Sequence, residues 1–255
     1  MRTTAIVNLK GGVAKSTTVI NMAAILAQKH GKKVLIIDAD SQCNTTEFFG
    51  ADPDAGNLAQ VLRESATWPI PGKYAVYNTQ ETKYEGIDIL AGDDSLMDLD
   101  LSKVEQKTVN ANVLRYLVAE VANAYDFVLI DCPPAFNAAS AAALIAADDV
   151  VIPIKLDAFS LRGMVNLMRQ IQNMRQINPR LKISGILPTM WYKDPEIEAA
   201  EQQLQQAGLH IFHHIRRSDK VDKMTFRQEP LLMSSPKSAA GQDYRKFVEE
   251  FMGGM

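Results

Sequence analysis

Residues 4–18 read TAIVNLKGGVAKSTT: an apolar run stops at a lysine and a glycine pair, and a second apolar pattern begins after them with a different period. Ala5, Ile6 and Val7 have the composition of a buried strand, whereas Val19, Ile20, Ala23, Ala24, Leu26 and Ala27 recur at helical spacing. The segment is therefore predicted as strand, loop, helix. A loop of this kind delivers an anion to a helix N-terminus, where backbone N–H groups have no partner of their own. Lys15-Ser16-Thr17 falls at that junction, so the lysine reaches toward outer phosphates and the Ser16 hydroxyl is placed to hold Mg²⁺.

The general phosphate-loop pattern G-x-x-x-x-G-K-[ST] fails at both glycines, because Leu9 and Ala14 stand there. What is present is Lys10-Gly11-Gly12-x-x-Lys15-Ser16, with a second lysine ahead of the glycines. This resembles the deviant Walker A loop, KGGxGK[ST], of the ParA/MinD ATPases. The resemblance implies ATP as ligand, bound by Lys10, Gly11, Gly12, Val13, Ala14, Lys15, Ser16 and Thr17, with Lys10 crossing to the nucleotide of a partner subunit. Ala14 departs from the family's glycine. If that position needs a positive φ, its Cβ costs about 1 kcal/mol or more.

A chain of 255 residues with 47% apolar content can bury a full core, and a single α/β domain over residues 1–255 is the simplest fit. Formal net charge is −3, so the whole is not a polycation. The charge is uneven: residues 1–154 carry 12 basic and 19 acidic side chains, and residues 155–255 carry 15 and 11. Any nucleic-acid contact is thus expected in the C-terminal part. Cys43 and Cys132 share no zinc or redox spacing. No apolar run reaches the roughly 20 residues of a membrane span, and Asn8 and Lys10 interrupt any secretory signal at the start. A cytoplasmic protein with reduced thiols is the expectation.

Strands are predicted at residues 34–37, 87–90, 127–130, 150–154 and 183–187, with a weaker one at 211–215. Between them lie helical patterns at Val113, Leu114, Leu117 and Val121; at Leu161, Val165, Met168 and Ile171; and over 197–204. Apolar strands separated by amphipathic helices indicate a mostly parallel, twisted sheet of about seven strands with helices on both faces. Residues 50–86, with Pro53, Pro69, Pro71 and Gly72, read as a short helix plus loops. Tyr244, Phe247, Val248 and Phe251 mark a last helix with one apolar stripe.

Ligands of open α/β sheets sit at the carboxyl ends of strands. Asp38 and Asp40 follow one strand and Asp131 another, which suits Mg²⁺, a cation that takes one or two carboxylates with water and phosphate oxygens. The similarity to the ParA family extends to these positions. Its D-x-D-P-Q-G-N motif appears as Asp38-Ala39-Asp40-Ser41-Gln42-Cys43-Asn44, and its D-x-P-P motif as Asp131-Cys132-Pro133-Pro134. By that match Asp40 orients the attacking water, Ser16, Asp38 and Asp131 serve the metal, and Lys10, Lys15 and Asp40 are the catalytic set. Asp157-Ala158-Phe159-Ser160-Leu161-Arg162-Gly163 resembles a further family segment, and the likeness covers nearly the whole chain, as in the short, Soj-like members.

Arg216, Arg217, Lys220, Lys223 and Arg227 lie close together, with Lys237 and Arg245 further on. Such a run is ordinarily a solvated face, but here it falls where family members carry sequence-independent DNA-binding residues. The resemblance therefore implies an ATP-dependent homodimer, non-specific DNA binding on the nucleoid and a ParB-like centromere-binding partner. Two alternatives remain at this stage. One is a MinD-like membrane switch, disfavoured by acids beside the apolar stripe of the last helix. The other is a nucleotide switch with negligible hydrolysis, suggested by Ala14. His210, His213 and His214 read as ordinary strand residues, and Trp191 as structural.

Overall fold

Strands reading VLIID and FVLID are buried at every position, so both faces of their sheet must be covered. The architecture, taken from a computed structural model that describes residues 1–64 and 79–254, does this with two helical layers. The strands are β1 (Arg2–Ile6), β2 (Val34–Asp38), β3 (Gln80–Glu81), β4 (Ile87–Leu90), β5 (Phe127–Asp131), β6 (Asp149–Lys155) and β7 (Lys182–Thr189). The helices are α1 (Lys15–His30), α2 (Asn44–Phe49), α3 (Leu58–Glu64), α4 (Leu101–Glu105), α5 (Val113–Glu120), α6 (Ala138–Ala146), α7 (Ala158–Met174), α8 (Pro195–Gln206), α9 (Asp219–Arg227), α10 (Leu231–Ser234) and α11 (Ala239–Gly253).

The sheet order is β3-β4-β2-β5-β1-β6-β7, parallel throughout except for the edge pair β3–β4. Alternate residues feed opposite cores. Ala5, Leu35, Ile37, Val128 and Ile130 pack with α3, α5, α6, α7 and α8, whereas Ile6, Ile36 and Leu129 pack with α1, α2 and α11. The stripe expected on the last helix is real: Tyr244, Phe247, Val248 and Phe251 are all at most 1% exposed.

Among the described residues the sheet does have seven strands, but the seventh is not the one read from the sequence. Residues 211–215 run beside β7 and make only isolated bridges, Ile186 with Ile211 and Trp191 with Arg216. The cause is Pro188. Ile186 N–H donates to the His210 carbonyl and Phe212 N–H to the Ile186 carbonyl, but Pro188 has no N–H to continue the ladder. The chain slips, and Ile215 rather than residue 214 donates to the Pro188 carbonyl. The seventh strand is β3, two polar residues that carry no hydrophobic signal. Within α7 the buried stripe is Ser160, Met164, Leu167, Ile171 and Met174. Val165, expected inside, is 72% exposed. The helical reading of 50–86 is met by α3, while Pro69, Pro71 and Gly72 lie outside the described residues.

Candidate functional site

The loop after β1 is built to present backbone donors. Asn8 fixes its start: Nδ2 donates to the Pro153 carbonyl at 2.8 Å and Oδ1 accepts from Lys10 N–H at 3.0 Å. Val13 is buried, and its carbonyl accepts the Thr189 hydroxyl at 3.2 Å. Gly12 and Ala14 both take left-handed backbone, at φ 67°. Ala14 directly precedes α1, which carries neither a side-chain cap nor an acid in its first turn. The N-terminal N–H groups of a 16-residue helix are thereby left without a side-chain partner at the head of a cleft, an arrangement suited to an anion. Gly11, Gly12, Ala14, Lys15, Ser16 and Thr17 line that cleft, whose volume is about 1180 Å³.

Lys15 is 6% exposed, with Nζ 3.2 Å from the Lys10 carbonyl. Burial lowers its pKa, and Asp131 and Asp40 oppose the shift. Beneath it the last residues of β2 and β5, Asp38 and Asp131, are direct register neighbours and fully buried. Asp38 Oδ2 accepts from Thr46 N–H at 2.8 Å and the Thr46 hydroxyl at 2.7 Å, and Asp131 Oδ2 accepts from the Thr45 hydroxyl at 2.6 Å. Burial first, and mutual repulsion second, push Asp38 up to about 7. Burial likewise raises Asp131, against the pull of the Thr45 and Ser16 hydroxyls. Asp131 Oδ1 is buried and, among the described residues, has no hydrogen-bond partner. A hard cation over this pair would satisfy that oxygen and relieve the repulsion, so the residues fit Mg²⁺. Among the described residues no group of three or more His, Cys, Asp or Glu forms a closed cage, and Mg²⁺ held largely by water and phosphate needs none.

The strain at Asp38 gives a signed expectation. A carboxyl raised in the fold makes stability fall as pH rises from the unfolded value near 4 to the folded value near 7. In chelator, Asp38→Asn should therefore melt at a higher temperature than the parent at pH 8, with the gap closing toward pH 4. Thermal melts across that range check it.

Asp40 is 6% exposed, lines the cleft, and is held by Gln42 N–H at 3.1 Å from Oδ1. Lys10 does not line it. Its ammonium is gripped within the same chain by Asp157, at 2.9 and 2.8 Å, and by the Ser160 hydroxyl at 2.9 Å. Asp157 caps α7, and although burial pushes its carboxyl up, Lys10 and Ser160 hold it down to about 2. Spacing alone did not reveal this partner of Lys10, nor the Thr45 and Thr46 hydroxyls that steady the acids. Cys43 is no reactive thiol, since burial and nearby acids push it up to about 12.

The basic residues do not form one uniform face. Arg216 and Arg217 line the cleft itself. Arg216 is paired with Asp243, and Lys220 and Lys223 both approach Asp219, at 3.6 and 3.3 Å. Arg227 and Lys237 are exposed, and Arg245 donates to the Pro236 carbonyl. Trp191 stacks on His214 with centroids 3.8 Å apart, and Tyr192 lines the cleft.

Residues 1–183 match the AAA domain family. The chromosome partitioning protein ParA of Caulobacter vibrioides is 34% identical over 259 residues, covering 98% of this chain and 93% of that protein. The chain belongs to the ParA family. Apo McdA from Cyanothece shares the fold at a TM-score of 0.85 and 23% identity, with 99% of this chain and 100% of that chain covered. Cobyrinic acid a,c-diamide synthase from Mycobacterium smegmatis, with bound ADP and magnesium, has a TM-score of 0.79 at 27% identity, covering 98% and 93% of the two chains.

This member of the ParA family departs from the usual motifs at Ala14 and Cys43, each in place of glycine, and both residues take positive φ, 67° and 52°. The glycine-type backbone is kept and a Cβ is forced into it. Left-handed backbone costs an L-residue about 1–2 kcal/mol, partly offset because glycine loses about 0.5–1 kcal/mol more entropy on folding. Ala14→Gly should therefore raise the melting temperature by roughly 1–3 °C, read by calorimetry. Ala14→Val should lower it.

Proposed function

We propose that this protein is an ATP-hydrolysing switch that dimerises around ATP, binds DNA without sequence preference and, with a ParB-like partner, moves DNA or another large cargo on the nucleoid. The observation that carries this is the uncapped α1 terminus above a buried Lys15 and the unpartnered oxygen of Asp131. Phosphoryl transfer asks a protein mainly for positioning and charge. The loop N–H groups and Lys15 hold the β- and γ-phosphates, and Asp40 orients the attacking water. Ser16, Asp38 and Asp131 hold Mg²⁺, which supplies neutralisation of the developing charge. Lys10 acts from the facing subunit, where an arginine finger acts elsewhere.

Lys10 must leave Asp157 to do so. Their side chains are 35% and 29% exposed, and ion pairs with this much solvent contribute only about 0–1 kcal/mol. A γ-phosphate outbids such a pair, so the contact with Asp157 is a resting position and not a barrier. The membrane alternative is disfavoured by α11, whose apolar stripe is used up inside the core. Among the described residues no helix is long and apolar enough to cross a membrane.

DNA contact falls to Arg217, Lys220, Lys223, Arg227 and Lys237, with Arg216 and Arg245 at its edge. With about four phosphates neutralised, affinity should drop about a hundredfold between 50 and 200 mM salt. It should also require ATP, because doubling in the dimer supplies the avidity. Filter retention with ATP, with ADP and without nucleotide tests this; retention indifferent to nucleotide would overturn the coupling.

A further inference from the structure

Asp243 on α11 is fully buried, and its carboxylate is almost wholly engaged by one neighbour. Oδ2 accepts from Arg216 Nε at 2.8 Å and from Arg216 backbone N–H at 3.0 Å, while Oδ1 accepts from Arg216 Nη2 at 2.8 Å. His213 Nε2 stands 3.2 Å from Oδ1. The Arg216 backbone is fixed as well: Trp191 N–H donates to the Ile215 carbonyl and Arg217 N–H to the Trp191 carbonyl, both at 2.9 Å. Backbone and guanidinium plane are therefore both set, yet the side chain remains 45% exposed and the residue lines the cleft.

A bidentate phosphate contact would use two N–H donors on one edge of the guanidinium, and in Arg216 the Nε and Nη2 donors are already given to Asp243. A guanidinium whose Nε and Nη2 edge is occupied offers its flat face and its Nη1 group, and flat guanidinium stacks on aromatic rings. The loop at Gly11–Thr17 and the residues Met190, Tyr192, Arg216 and Arg217 line one and the same cleft, so a nucleotide whose phosphates occupy the loop has its base in the space these residues share.

We propose that Arg216 stacks on the purine base of the bound nucleotide and that Asp243 is the positioning residue that sets its plane. This rests on the reading of the cleft as an ATP site. It also withdraws Arg216 from the DNA face and gives α11 a part in nucleotide recognition.

Calorimetric titration with Mg²⁺ and either ATP or inorganic tripolyphosphate, which lacks the base, separates base recognition from phosphate binding. Arg216→Ala and Arg216→Lys should each reduce the preference for ATP over tripolyphosphate by about tenfold, leaving tripolyphosphate affinity unchanged. The lysine variant keeps the charge and loses the plane, so its failure to rescue is the informative result. Asp243→Asn should lower the same preference by a smaller factor. An unchanged preference in the two Arg216 variants, or equal losses for both ligands, would overturn the inference. So would loss of DNA retention with ATP preference intact. A parent protein that binds neither ligand would overturn the ATP reading itself, and this inference with it.

Discussion

An Asp40→Ala chain given ATP and Mg²⁺ should form a stable dimer by light scattering, and adding Lys10→Ala should return it to a monomer. Each dimer would contain two Lys10 ammonium groups, each reaching the other subunit's phosphates. Hydrogen bonds to charged groups contribute about 1.5–3 kcal/mol each, so losing both should weaken association by roughly two to four orders of magnitude. In the single Lys10→Ala variant, turnover should fall about a thousandfold or more, the scale of a charge supplied in trans at a transferring phosphate. The ion pair with Asp157 supplies the control. Asp157→Asn releases Lys10 without removing it, and dimers should form at concentrations a few-fold lower, in keeping with a pair worth about 1 kcal/mol or less. A Lys10→Ala protein that still dimerises with ATP would leave only a generic nucleotide pocket.

Asp40→Ala alone should leave ATP affinity within a few-fold and reduce phosphate release by about 10²–10⁴. Asp40 lines the cleft but does not belong to the buried pair: it stands two residues beyond Asp38, held by Gln42 N–H. Substrate affinity comes from the α1 terminus and Lys15, which the substitution leaves alone. Titration and steady-state phosphate release on one preparation separate the effects. Loss of affinity together with turnover would mean that Asp40 shapes the loop and does not position water.

The phosphate loop was legible because its chemistry is local. Strand, glycine pair, lysine, hydroxyl and helix follow one another within fifteen residues, and neighbouring positions in sequence remain neighbours in the fold. Asp38 and Asp131 were legible for a different reason: both end strands of the same parallel sheet, and parallel register brings strand ends together. What sequence could not supply was side-chain pairing across long separations. Lys10 meets Asp157, and Arg216 meets Asp243, through packing of α7 and α11 that no periodicity encodes. The missing seventh strand was a matter of backbone donors. Residues 211–215 have the right apolar character, but Pro188 cannot hold the register.

Strand order also bears on how the molecule is made. β1 lies between β5 and β6, so during synthesis it finds neither flanking partner until residues 127–155 have been made. The phosphate loop that follows β1 is braced still later, since the Thr18 hydroxyl, which donates to the Ala14 carbonyl, meets Tyr244 of α11. A nascent chain thus carries its nucleotide motif exposed and unshaped for most of translation. The contact between Thr18 and Tyr244 is therefore completed only when α11 has been made, late in synthesis.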